Sequence, residues 1–401
     1  MRWKVALPGK GHSTPVIWGD RLFVTAAVPY GEPVEPVAAH RPGAHDNLEV
    51  TRRFEFVVMA IARDDGRVLW RRTVKRALPH EMGHVTASLA SASPSTDGQR
   101  VFAFFGSYGL YALSVDGELE WKADFGPMHT KHGHGEGSSP ALHGDSLIVN
   151  WDHEEGSFVA ALDKKTGKIR WRVERDEVTS WATPIVVEHE GTKQVIVPGT
   201  KRLRAYDLAT GKVIWECAGL SANIVASPVA DQGMVYAASS YDTRALLAIR
   251  LAGAKGDITN TENVAWRRSR STPYVPSLLL SRGALYYLGH YQGILSRLDA
   301  RTGADQPGTF RLPSIGNVYA SPVSASGRVY ITDRSGTTVV LSDDEKPRVL
   351  AINELDGTFS ASAALADGEI YLRSEDALYC LVEEAPRDLR PEGDAEANPS
   401  R

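Results

Sequence analysis

One unit recurs along this chain, and a chain of stacked copies has few folds open to it. The unit is a small residue and Pro, an apolar run, a tight Gly turn, a β-rich run, then Asp-x-x-Thr-Gly and a Trp. The clearest copy is "SSPALHGDSLIVNWDHEEGSFVAALDKKTGKIRWRV" from Ser138. The next is "ATPIVVEHEGTKQVIVPGTKRLRAYDLATGKVIWEC" from Ala182. The Pro register falls at Pro15, Pro94, Pro140, Pro184, Pro228 and Pro322. Weaker copies start at Val275 ("VPSLLLSRGALYYL") and Ser360 ("SASAALADGEIYLR"). That makes eight units, most of them about 42 to 49 residues apart, the period of a propeller blade. The first spacing is longer because residues 29–53 are inserted.

Each unit reads as four short strands, runs rich in Val, Ile, Tyr and Phe bounded by Gly, Asp and Asn. In the Asp-x-x-Thr-Gly turn the Asp side chain accepts backbone N–H groups and Gly supplies a positive φ. Trp70, Trp121, Trp171, Trp215 and Trp266 share one place in their units. Each presents a wide surface to the neighbouring blade, so these residues read as structural. The eighth unit stops after "ALYCLVE" without its Trp strand, and the chain begins with "RWKVALPG", which supplies one. The expected fold is all-β, an eight-bladed β-propeller of four-stranded antiparallel blades over residues 1–383. The N-terminal strand completes blade eight and closes the ring, which leaves no open sheet edge between first and last blade. The tail 384–401 is charged, contains Pro and has no apolar period, so it is expected to be disordered.

Composition narrows the function only by exclusion. With 42% hydrophobic and 23% charged residues the chain has material for a core, and a net charge of −4 leaves no basic footprint for nucleic acid. No apolar run approaches the roughly 18 residues of a membrane span, and "MRWKVALPGKGH" has no apolar signal-peptide stretch. On these grounds the chain is cytoplasmic or its true start lies upstream. A monomer is expected. Cys217 and Cys380 form no CxxC or CxxCH motif and read as buried thiols on strands, with a disulfide between them left open.

Blade connectivity sorts the loops. Links between first and second strands (A–B) and third and fourth (C–D) fall on one face. These are mostly short hairpins such as "HGD" and "ADG" that need no function to explain them. The B–C and D-to-next-A links fall on the other face and are long: "LPHEMGHVTASLAS", "FGPMHTKHGHGEGSS", "NWDHEEG" and the insertion among them. Ten of the twelve histidines lie there, at 12, 40, 45, 80, 84, 129, 132, 134, 153 and 290. Long loops on a rigid scaffold are where binding residues concentrate. Two sets from blade three converge on the channel mouth: His129, His132, His134 and Glu136 before its A strand, and Asp152, His153 and Glu154 after its B strand. His80, Glu81 and His84 approach from the preceding link, and Trp181 walls the same mouth. His nitrogens with nearby carboxylates suit Zn, Cu, Fe or Mn. The metal candidates are therefore His129, His132, His134, Asp152, His153, His80 and His84. The spacing is not a stereotyped one, and pinned loop histidines or an anionic or sugar-like ligand explain the same residues. Ser138 and Ser139 lie near His134, but Ser-Pro there is the repeat's own opening element, so a hydrolase has little support.

The Asp-x-x-Thr-Gly-x-x-x-Trp unit of "ALDKKTGKIRW" and "AYDLATGKVIW" resembles the pyrroloquinoline-quinone-type (PQQ-like) propeller repeat, over residues 1 to about 383. "GHSTPVIWGDRLFVTAA", "SASPSTDGQRVFAFFGSYGLY" and "YASPVSASGRVYIT" are similar to bacterial PQQ-binding-like β-propeller repeat proteins. That group's name describes the repeat and does not by itself imply quinone binding. Among its relations, quinoprotein dehydrogenases hold Ca with Glu, Asn and Asp and carry adjacent cysteines. By that resemblance Glu136, Asn150 and Asp152 could hold Ca and, with Trp181, line a cofactor, though this chain has no Cys-Cys pair. An outer-membrane β-barrel assembly lipoprotein with similar repeats is a binding scaffold, although this chain lacks a lipobox Cys at its start. The resemblance implies a periplasmic or secreted protein. The decorated face fits best a platform for a ligand or partner at the His-rich loops, with a PQQ/Ca-dependent dehydrogenase and a metal-binding propeller as alternatives.

Overall fold

The computed structural model describes residues 1–383 except 39, 290–292 and 309. His290 and the tail expected to be disordered lie outside the described residues. Eight sheets follow one another in chain order, each built on four antiparallel strands. Blade three is typical: strands A (Ala141–His143), B (Ser146–Trp151), C (Ser157–Asp163) and D (Ile169–Arg175), paired in that order. Strands B and C are buried on both faces, while D, at the rim, alternates. The expected eight-bladed propeller is what forms.

Ring closure is also as expected. Trp3–Ala6 runs antiparallel to Ala377–Val382, with Trp3 opposite Cys380 and Ala6 opposite Ala377. Cys217 and Cys380 are both buried free thiols, on blades four and eight.

The small residue that opens each unit has a defined task. Two residues before each A strand stands Thr14, Ser93, Ser139, Thr183, Ser227, Ser277, Ser321 or Ser362. The backbone N–H of each of the first seven donates to the hydroxyl of the next, at 2.9–3.0 Å. These bonds run around the channel and hold the inner strands in one register.

The tryptophans lock the outside. The Trp171 indole N–H donates to Leu208 O of blade four at 2.8 Å, and its ring lies over Gly211, where a Cβ would come within 2.7 Å. Trp3, Trp70, Trp121 and Trp266 repeat this on Arg63, Val115, Lys164 and Ala300 of the following blade. The Gly of the turn is thus required twice, for its positive φ and for the ring that covers it.

Trp215 departs from the pattern. Blade five has a longer link, 251–263, in place of the turn. Part of it, Gly256–Asp257, adds a fifth strand parallel to Val213–Cys217 of blade four. Trp215 is fully buried there and donates to Gln194 Oε1 of its own blade, at 2.9 Å.

Candidate functional site

Three loops of the long-loop face are stitched together above blades one to three. They are the blade-one insertion, the link from blade one to blade two, and the link from blade two to blade three. Leu48 N–H donates to Gly83 O (3.0 Å) and Val85 N–H to Asp46 O (2.7 Å). His84 N–H donates to His134 O (3.2 Å), and Asn47 Nδ2 donates to His132 O (2.8 Å). Backbone bonds of this kind fix where the loop side chains stand.

The expected metal candidates separate into two groups and two outliers. The first group is His84, His132 and His134, joined by His45 from the insertion. Ring centroids are 4.7 Å apart for His45–His134, 5.1 Å for His84–His134, 5.3 Å for His132–His134 and 5.6 Å for His45–His132. Burial above all, then the neighbouring His84, His45 and His132, lowers His134 to about 4, so this imidazole is neutral near pH 7. Burial lowers His84 as well.

The second group is His80, Glu81 and His129, whose ligand atoms lie within 4.8 Å of one another. His80 Nε2–H donates to Met128 O (3.1 Å) and its Nδ1 accepts from Tyr108 Oη (3.2 Å). Arg41, again from the insertion, donates to His129 Nδ1. It also lies 3.6 Å from Glu81 and 3.2 Å from Glu155.

Asp152 and His153 face elsewhere. Asp152 forms a two-pronged ion pair with Arg175 at 2.8 and 3.1 Å, both side chains fully buried, and so does not reach either histidine group. Burial pushes Asp152 up to about 6, against the pull of Arg175. His153 accepts the His129 backbone N–H at 3.2 Å and so pins the loop.

Glu136, Asn150 and Trp181 line one cavity together with Glu81, Tyr108 and Thr130. Trp181 donates to Gly135 O (2.7 Å). Glu136 accepts from the Ser107 N–H (2.7 Å) and hydroxyl (2.5 Å), while burial, with Glu81 adding to it, pushes its carboxyl up to about 7. Asn150 Oδ1 is buried without a hydrogen-bond partner. The cavity, about 30 Å³, holds about two waters, against the roughly 300 Å³ or more of a cofactor pocket. With Asp152 held by Arg175 as well, these residues do not fit a quinone and its calcium.

Sequence reasoning missed two contributors, His45 and Arg41. Both stand in the insertion, outside the repeat's register. Their only signal was that a long loop on the decorated face carried two histidines and three arginines.

The family model described as outer membrane protein assembly factor BamB matches residues 55–309 and 218–385. No curated protein matches the chain in sequence. Among solved structures, BamB from Moraxella catarrhalis is similar at 13% identity and a TM-score of 0.59, covering 90% of this chain and 98% of that one. A europium-containing methanol dehydrogenase gives 12% and 0.65, over 93% of this chain and 84% of that one. The computationally designed Ika8 protein gives 8% and 0.61, over 94% and 98%. These likenesses show the fold. With the repeats and the closed ring already in place, the family match is decisive: this chain belongs to the family of PQQ-like repeat propellers described as outer membrane protein assembly factor BamB.

Proposed function

We propose that the protein is a binding platform whose long-loop face, above blades one to three, takes a ligand or a protein partner. The observation that carries this reading is the stitched triple loop. It gathers imidazoles, Arg41 and carboxylates on one face, while the opposite face carries mostly hairpin turns. A propeller needs none of this to close. The name of the family model, an assembly factor, agrees with a scaffold that works by contact and not by turnover. The family also implies a place outside the cytoplasm, which cell fractionation checks. Among the described residues no helix is long and apolar enough to cross a membrane.

The test is photo-crosslinking in the native cell from single positions. Probes replacing His45 or Tyr241, both exposed on the long-loop face, are expected to give discrete adducts. A probe replacing Lys165, in an exposed short turn, is expected to give none. Adducts from the short-turn face alone would refute the assignment.

A further inference from the structure

We propose that His45, His84, His132 and His134 form a site for one divalent transition-metal ion of the zinc, copper or nickel class. This goes beyond the platform reading and does not depend on it, since metal uptake needs no partner.

The spacing of the rings is the first argument. An ion about 2.0–2.1 Å from each imidazole nitrogen puts ring centres about 3.2 Å from it, and tetrahedral neighbours about 5 Å apart. Five of the pairs lie at 4.7, 5.1, 5.3, 5.6 and 6.2 Å, with His134 close to all three others. Three loops from different blades bring these rings together, which chance neighbours on one loop would not do.

The second argument is the state of the nitrogens. His134 Nε2 is buried and has no hydrogen-bond partner. A buried nitrogen left without a partner invites explanation, and an unfilled coordination position is one. The other rings are held from behind. His45 Nδ1 bonds Gly43 O and His132 Nδ1 bonds Pro42 O, both at 2.8 Å. His84 differs: its Nδ1 accepts the Thr86 backbone N–H at 3.2 Å, with the Thr86 hydroxyl at 2.8 Å, so binding a metal at Nε2 requires its ring proton to move to Nδ1. An imidazole whose Nδ1–H points to an oxygen presents its Nε2 lone pair to a metal, and ligating histidines are commonly supported in this way.

Backbone conformation agrees. His132 sits at φ 58°, ψ 9°, a left-handed conformation that a side chain normally avoids. Strain of this kind persists where the surroundings over-determine a position, as functional sites do. Gly43 leaves the room for its ring, since a Cβ there would come within 2.5 Å of His132 Nδ1. An all-nitrogen donor set selects zinc, copper or nickel over calcium or magnesium.

His80, Glu81 and His129 are the competing set, and among the described residues only their ligand atoms already lie within 4.8 Å of one another. The four-histidine cluster therefore turns its rings on loading, within reach of side chains that are exposed or half-buried. At the competing set the cation is already present: the Arg41 guanidinium contacts His129 and Glu81, and both His80 nitrogens are bonded.

The experiment is titration of chelator-stripped full-length protein with Zn(II) by calorimetry, repeated with Cu(II) and Ni(II), and X-ray absorption of the zinc-loaded wild type. One equivalent is expected, bound by imidazole nitrogens alone. His134→Gln and His132→Gln are expected to weaken binding by at least about 100-fold, the upper end of what loss of a ligand's supporting partner costs. The double variant H80Q/H129Q is expected to bind as wild type does. Circular dichroism and melting of the metal-free variants confirm that they fold. Should they not, the absorption spectrum decides, because it needs no variant. The proposal is overturned if none of the three metals binds stoichiometrically, if binding survives H134Q, or if the spectrum shows a carboxylate ligand.

Discussion

At the residue scale, the difference between a ligand and a structural charge is decided by what lies behind it. Asp152 follows an Asn-Trp pair at the end of a strand and precedes a histidine, as a ligand would. Its carboxylate is nevertheless spent on Arg175, which stands at the end of strand D, opposite Ser157 at the start of strand C. Only the folded register brings the two together, so the pair is not legible in the order of residues. The Arg175 guanidinium also donates to Tyr206 Oη of blade four at 2.6 Å, tying two blades through one cation. Removing one partner of a buried pair strands the other charge, so Asp152→Ala is expected to cost about 3–5 kcal/mol of unfolding free energy. Urea denaturation measures it, and zinc uptake by the variant should be unchanged. A loss below about 1 kcal/mol would mean that solvent already reaches the pair.

At the element scale, the blades were the most legible part of the molecule and the insertion the least. Strand period recurs in all eight blades and the Trp position in six of them, so each copy corrects the reading of the others. Residues 29–53 occur once and have nothing to be compared with. That is why His45 and Arg41 fall outside the candidate set, while His129 and His134, nine and four residues ahead of the recognisable blade opening at Ser138, fall within it. Gly256–Asp257 escaped for another reason: two residues carry no β signal, and their pairing is set by the neighbouring blade. Trp171 and Trp215 show how far a repeat can be trusted. They align in sequence, yet one locks blade three to blade four and the other bonds within its own blade. Trp171→Phe leaves the Leu208 carbonyl without its indole partner and is expected to cost about 1–2 kcal/mol. Trp171→Ala, which also uncovers Gly211, should cost about 3–5 kcal/mol. Thermal unfolding of the two variants separates the hydrogen bond from the packing. Equal losses would show that the indole hydrogen bond, and not the packing over Gly211, carries the effect.

At the scale of the whole molecule, a propeller is only as stable as the seam where its ends meet. Here the seam lies between blades eight and one, and it is held by charge on both faces. On the short-turn face Glu369 of blade eight takes Arg63 of blade one at 2.7 Å. On the long-loop face Glu375 takes Lys10 at 3.1 Å and His12 at 3.3 Å. Burial alone would raise the Glu375 carboxyl, but hydrogen bonds from His12 and Lys10 and the charges behind them outweigh it and hold the group at about 2. The ordinary value is 4.5, so the folded pKa is the lower one. Its contribution is therefore fully present above pH 4.5 and is lost as the pH falls toward 2. His12 acts in the same direction, because burial lowers its pKa and the folded state resists the proton that the unfolded chain accepts below about pH 6.5. The Glu375 side chain is 29% exposed, so screening reduces the effect to about 1–2 kcal/mol. Glu375→Gln should therefore destabilise the protein near pH 7 by about that amount and less at about pH 3, where the carboxyl of the unfolded chain is mostly protonated and folding must displace that proton. Urea midpoints of both proteins at the two pH values give the difference directly. A stability gap that stays constant between them would place the acid sensitivity of the ring somewhere other than this seam.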